Sequence, residues 1–207
     1  LFVRHLFPDT RLIAYMEWWF RDETSRWCFP SYEFDQRLRI TMRNSIILQE
    51  LEQCDVAVTP TSWQQQQFPK HYQNKIKVIF DGVDTSFFRP TPVKGEMMLN
   101  GLKCEQPLLI SENSLLLTYA TRGMETLRGF PEFMRMLPSL LETLPQLEVV
   151  IAGDDRCAYS HAPDRADGSW KQALLEELGD RLDRNRVHFT GSLMYGEYQQ
   201  MLNRSDL

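Results

Sequence analysis

Cysteine and histidine are scarce in this chain of 207 residues. The four cysteines, Cys28, Cys54, Cys104 and Cys157, stand far apart and form no Cys-x-x-Cys pair. That spacing excludes a disulfide-dense framework and reads as reduced thiols in a cytoplasmic protein. The four histidines, His5, His71, His161 and His188, have no metal-ligand spacing, so no metal is expected. Basic charge is short as well: 23 Lys and Arg stand against 28 Asp and Glu, for a net charge of −5. A nucleic-acid partner is therefore not expected, because such a protein needs a basic face to neutralise phosphates. No apolar run approaches the roughly 20 residues needed to span a bilayer. No Gly-x-Gly-x-x-Gly follows a strand-like run, which argues against a dinucleotide dehydrogenase. The opening "LFVRHLFPDT" has no initiating Met and no signal-peptide layout, so the chain is expected to be a piece of a longer polypeptide.

What remains is an ordinary globular composition, 43% hydrophobic and 25% charged, in which strand and helix patterns alternate. Residues 11–17 ("RLIAYME") read as a strand, and 34–54 as a long helix with Leu38, Met42, Ile46, Leu48 and Leu51 on its apolar face. Residues 55–59 ("DVAVT") and 75–80 ("KIKVIF") read as strands. Ser62 is placed to cap the short helix between them, which ends at Phe68-Pro69. The stretch 89–113, with Pro90, Pro92, Gly95, Gly101 and Pro107, reads as a linker running into a local hairpin at 111–114. Alternation then resumes: strands at 114–121, 147–152 and 186–190, and helices at 129–144, 168–182 and from 195. Strand-helix-strand repetition predicts an α/β protein with parallel sheets and right-handed crossovers. The predicted divisions are 1–88, a linker and hairpin at 89–113, and 114–207.

In "TYATRGMETLRGFPEFMRML", Arg122 and Arg128 occupy the turn between a strand and a helix. Ligands of open α/β sheets bind beyond the carboxyl ends of the strands. Gly123 and Gly129 let backbone approach a ligand, and Pro131 suits a first helical turn. Two guanidinium forks at a helix start favour an anion, phosphate above all. The competing reading is that both arginines are solvated or pair with Glu125 and Glu132. Glycines follow other strand-like runs at Gly82, Gly153 and Gly191, which suggests that several strand ends open on one crevice.

Taken in order, "VIFDGVDTSFFRP", "YATRGMETLRGF", "VVIAGDD" and "RVHFTGSLMYGEYQQML" resemble the segments of family-4 glycosyltransferases. So do "FPDTRLIAYMEWWF" and "VTPTSWQQQQFP" nearer the start. The resemblance implies a GT-B-like fold made of parts of two Rossmann-like domains: the end of the acceptor-side domain over 1–88 and the start of the donor-binding domain over 114–207. It implies a retaining enzyme that moves a sugar from a nucleoside-diphosphate sugar to a glycan or glycolipid acceptor, in bacterial polysaccharide or glycoconjugate synthesis, without a metal or other cofactor. By the same resemblance Arg122 and Arg128 hold the donor diphosphate, although the family more often has lysine at the second position. Gly153 and Asp154 line the donor pocket. Gly191, Ser192, Leu193 and Met194 form the turn near the base. Gly82 lies at the interdomain crossing. The family's paired-glutamate motif and its catalytic histidine with a glycine-rich loop have no counterpart here, so the isolated chain is expected to be inactive.

Two rivals stand beside this reading: a nucleotide-sugar epimerase of the same architecture, and a non-catalytic nucleotide-sugar-binding module. The aromatic cluster Trp18, Trp19, Phe20, Trp27, Phe29 and Tyr32 reads as core packing, with acceptor contact or peripheral contact with the inner membrane face as the alternative. The mixed charges of the 169–182 helix make it an outer layer of the second sheet rather than a membrane anchor.

Overall fold

A computed structural model describes residues 2–26, 29, 31–91, 95–104 and 106–207. Cys28, Trp27 and Pro92 lie outside them. The chain divides into two compact units, Leu1–Val83 and Asp84–Leu207. Both are α/β with parallel sheets, as the alternating pattern predicts. Among the described residues no helix is long and apolar enough to cross a membrane.

The first unit runs α1 (Val3–Leu6), β1 (Ile13–Tyr15), α2 (Asp22–Ser25), α3 (Phe34–Gln53), β2 (Val56–Thr59), α4 (Ser62–Gln67), α5 (Lys70–Gln73) and β3 (Ile76–Val78). Its sheet has the order β1-β2-β3, parallel throughout. The core gathers Met16, Leu51, Cys54, Ala57, Phe68 and Ile76. Thr61, one residue earlier than expected, caps α4: its Oγ1 accepts from the Gln64 N–H at 3.2 Å, and Ser62 is already helical.

The long helix forms where its periodicity places it but buries only part of the expected face, Leu51 fully and Leu48 partly. Leu38, Met42 and Ile46 are 49%, 66% and 47% exposed, while Ile40 and Leu51 are buried and Ile47 packs on the core. The buried stripe passes through Asn44, a polar residue that apolar periodicity counts against a core face. Asn44 is satisfied there, accepting from the Phe20 N–H at 3.1 Å and donating to the Phe20 carbonyl at 2.7 Å. Of the aromatic cluster, Trp19 packs on Phe68 and the core, with ring centroids 5.6 Å apart, and Trp18 meets Trp63 at 5.8 Å.

The second unit contains β4 (Met97–Leu99), β5 (Leu108–Ile110), β6 (Leu115–Ala120), α6 (Phe130–Thr143), β7 (Leu147–Ala152), α7 (Trp170–Leu178), β8 (Val187–Gly191) and α8 (Tyr195–Arg204). The stretch read as a linker thus holds an antiparallel pair, β4 with β5. The expected hairpin at 111–114 is a turn closed by the Ser114 N–H on the Ser111 carbonyl. It joins β5 to β6, which lie in different sheets. Strands β6-β7-β8 are parallel and in that order. Period-two alternation sends Leu147, Val149 and Ile151 to one face, with Phe130, Met134, Leu137, Leu174 and Leu178 of α6 and α7. Val150 and Ala152 go to the other face, with Met97, Leu99, Ile110 and Met201. With both faces covered, β7 reads as a nearly continuous apolar run. The register puts Ala120, Ala152 and Gly191 side by side, so the carboxyl ends of all three strands share one edge.

Candidate functional site

Backbone bonds stitch that edge together. The Thr121 N–H donates to the Ala152 carbonyl at 2.9 Å, and the Gly153 N–H to the Gly191 carbonyl at 2.8 Å. Gly153 has φ +129°, and a Cβ there would sit 1.8 Å from the Thr121 carbonyl oxygen, so no larger residue fits. Above the edge lies an open cavity of about 300 Å³, walled by residues 120–122, Ala152, Gly153, Ser192, Leu193, Tyr195 and Tyr198. Among the sequence candidates, Arg122, Gly153, Ser192 and Leu193 therefore meet at one place. Tyr195, mostly exposed at its rim, stacks on Phe87 and meets Phe88 edge-on, each at 5.1 Å between ring centroids.

Arg122 and Arg128 come together through a residue that sequence reasoning missed. Arg122 Nη1 donates to Tyr159 Oη at 3.0 Å. Both guanidinium groups lie over the Tyr159 ring, at 5.7 Å for Arg122 and 5.6 Å for Arg128. The Arg128 backbone is pinned by Tyr119, whose hydroxyl donates to the Arg128 carbonyl at 2.8 Å. The helix that follows starts at Phe130, with Pro131 in its first turn and Gly129 in the left-handed region at φ +68° as its cap.

Glu125, which stands between the two arginines in sequence, pairs with Arg128 as considered for it, at long range, and also anchors a neighbouring loop. It is fully buried. One carboxylate oxygen, Oε2, accepts from the N–H groups of Ala158, Tyr159 and Ser160 at 2.8, 2.8 and 2.9 Å, and from the Ser160 hydroxyl at 3.1 Å. The other, Oε1, makes no hydrogen bond and lies 3.8 Å from Arg128 Nε. Burial pushes this carboxyl group up, but the bonds to Ser160, Tyr159 and Ala158 outweigh it and hold the group below the ordinary value.

Asp154 is held from several sides. Ser192 Oγ donates to it at 3.2 Å, and Lys103 Nζ and Arg156 Nε approach it at 3.6 and 3.9 Å. Lys103 arrives on the segment after β4, whose Leu102 and Lys103 N–H groups donate to the carbonyls of Ser192 and Thr190 at 3.1 Å. Its side chain covers Gly191, where a Cβ would meet Lys103 Cγ at 2.7 Å. Lys103 and Arg156 are thus two further cations at this edge; neither belongs to a motif, and only the folding of their loops brings them in.

The glycines divide. Gly123 makes its close approach to the protein itself, since a Cβ there would lie 2.6 Å from the Arg156 carbonyl oxygen. Gly129 and Gly82 have positive φ and open space around them. Gly82 belongs to the first unit and the other candidates to the second. Met194 is exposed, and its N–H donates to Glu197 Oε2 at 3.2 Å as part of the start of α8.

Comparison with known proteins bears on both units. Residues 1–88 match the model of the family described as "Glycosyl transferase family 4 group". Among solved structures, the chain is similar to the crystal structure of TarM, with a TM-score of 0.56 and 10% sequence identity. That match covers 96% of this chain and 31% of TarM, so the chain spans under a third of the length of the structure it resembles. No curated protein matches it in sequence. At 10% identity the likeness carries the fold. The family match over residues 1–88 spans less than half of the chain, and what the comparisons carry for the whole is a GT-B-like α/β fold of two parallel-sheet units.

Proposed function

We propose that the second unit binds the donor of a glycosyltransferase, a nucleoside-diphosphate sugar, with its diphosphate at Arg122 and Arg128. One observation carries the reading: both guanidinium groups gather on Tyr159, and one of them, Arg122, also lines the cavity at the carboxyl edge of a parallel sheet. When the sugar leaves, its anomeric carbon–oxygen bond breaks and the bonding pair stays on the terminal phosphate oxygen. Negative charge grows on that oxygen, and fixed cations stabilise it without reorganising. Arg122 meets no carboxylate in any ion pair found among the described residues, and Arg128 keeps only the 3.8 Å approach to Glu125. Their charge is therefore largely available to an anion.

On this reading Ser192, Leu193 and the exposed Tyr195 ring lie where the nucleoside would rest, and the protein's own cations take the part a divalent metal plays elsewhere. The acceptor is a glycan or glycolipid, the outcome at the anomeric carbon is retention, and the setting is polysaccharide or glycoconjugate assembly at the inner face of a membrane. The family match over residues 1–88 supports transfer over the rival epimerase and binding-module readings.

The test is calorimetric titration of the chain with UDP, GDP and ADP. One of them is expected to bind. Arg122→Ala and Arg128→Ala are each expected to weaken it by about 10- to 100-fold, the worth of a hydrogen bond to a charged group. Melting temperatures should stay unchanged, because both side chains are exposed. Absence of binding by all three nucleotides, or unchanged affinity in both variants, refutes the assignment.

A further inference from the structure

We propose that Tyr159 is a positioning residue for the anion site, a tyrosine wedge that holds the guanidinium groups of Arg122 and Arg128 in one place before any ligand arrives. The proposal rests on the donor-binding reading above and adds a residue and a mechanism to it.

Two like charges brought together repel, and each long side chain resists being fixed. A tyrosine ring that both approach answers both problems. Its π-face attracts a guanidinium group within about 6 Å of the centroid, and both arginines meet that limit, at 5.7 and 5.6 Å. Its hydroxyl accepts from one nitrogen of Arg122, which leaves the other donors of that fork for a ligand.

The wedge is itself fixed. The Tyr159 N–H and those of its two neighbours converge on one oxygen of buried Glu125. Glu125 stands midway between the arginines in sequence, so the turn that carries the two cations also carries the anchor for the loop that holds them. A buried carboxylate with three backbone donors on one oxygen is a good anchor for the 158–160 loop, and its other oxygen keeps only a 3.8 Å approach to Arg128 Nε. Preorganisation of this kind improves affinity by removing the ordering cost of the two side chains.

A pyrophosphate group needs both forks at once, whereas a single phosphate needs one. Loss of the wedge should therefore weaken pyrophosphate more than orthophosphate, and loss of fold should weaken both alike. The experiment titrates the chain with inorganic pyrophosphate and with orthophosphate. Tyr159→Leu is expected to weaken pyrophosphate about tenfold and orthophosphate far less, as two cation–π contacts disappear. Tyr159→Phe, which keeps the ring and loses one hydrogen bond, should show a two- to threefold loss, on the order expected of a weak, exposed bond. Glu125→Gln should lower the pyrophosphate preference in the same direction by loosening the loop. An unchanged ratio of the two affinities in folded Tyr159→Leu overturns the proposal. Should that variant not fold, an unchanged ratio in Tyr159→Phe does so. If the unaltered chain binds neither pyrophosphate nor any nucleoside diphosphate, the donor-site reading fails first and this inference falls with it.

Discussion

Glu125 connects the chemistry of the site to acid stability. Its carboxyl group titrates below the ordinary value because bonds to Ser160, Tyr159 and Ala158 outweigh the effect of burial. The unfolded chain then takes up a proton at a pH where the folded chain does not, and the sign follows. The stabilisation is fully present above the unfolded value of about 4.3 and is lost as the pH falls through the lower folded value. Urea unfolding midpoints of the unaltered chain and Glu125→Gln should therefore differ most near neutral pH and converge in acid. A gap that stays constant down to acid pH would show that Glu125 is not ionised in the fold. At this scale the sequence pointed to part of the candidate site. Arg122 and Arg128 could be read because a strand end and a helix start flank them. Tyr159, Lys103 and Arg156 could not, because what brings them there is the course of two loops, and no local pattern encodes it. The anchoring role of Glu125 was hidden for a further reason: an acidic residue three positions from each arginine reads only as a counterion until its backbone donors are known.

Among the elements, α3 separates periodicity from packing. Its length was legible from the helical pattern over residues 34–54, observed at Phe34–Gln53. Its buried face was not, because apolar residues stand on two sides of the helix and the core side includes Asn44. The outcome is a paired prediction. Leu51→Ala, at a site with no exposed surface, should cost about 2–5 kcal/mol. Leu38→Ala and Met42→Ala, on the exposed stripe, should each stay within about 0.5 kcal/mol. Chemical denaturation measures all three, and equal losses would place the core on the wrong side of the helix. The strands of the second sheet were easier to read, since β7 is buried on both faces and its run of apolar residues has no competing periodicity. The β4–β5 pair was the hardest: prolines and glycines around two three-residue strands mask the alternation of Met97, Leu99 and Ile110 toward the core.

For the molecule as a whole, the two units differ in how completely they cover their sheets. Asp84–Leu207 packs α6 and α7 on one face of its sheet and the β4–β5 pair with α8 on the other. Among its described residues Leu1–Val83 has one apolar cluster and leaves Ile13, Tyr15 and Val78 of its strands exposed, together with Phe34, Leu38, Met42 and Ile46 on α3. Phe34, Leu38, Met42 and Ile46 recur every four residues on α3 and so share one side of it, and an apolar stripe of that kind takes up hydrophobic dyes. Every group assigned to the diphosphate and nucleoside lies in the second unit, so the units should also separate functionally. Produced as separate polypeptides, residues 84–207 are expected to melt cooperatively and to bind pyrophosphate within about twofold of the whole chain, because every group proposed to hold the anion lies within them. Residues 1–83 should bind 8-anilinonaphthalene-1-sulfonate strongly, and Leu38→Glu with Met42→Lys should reduce that signal without lowering the helix content seen by circular dichroism, since both side chains point away from the core. Loss of pyrophosphate binding in the separated second unit would mean that the first unit supplies part of the anion site, and the assignment of the diphosphate to the Arg122–Tyr159–Arg128 cluster alone would have to be given up.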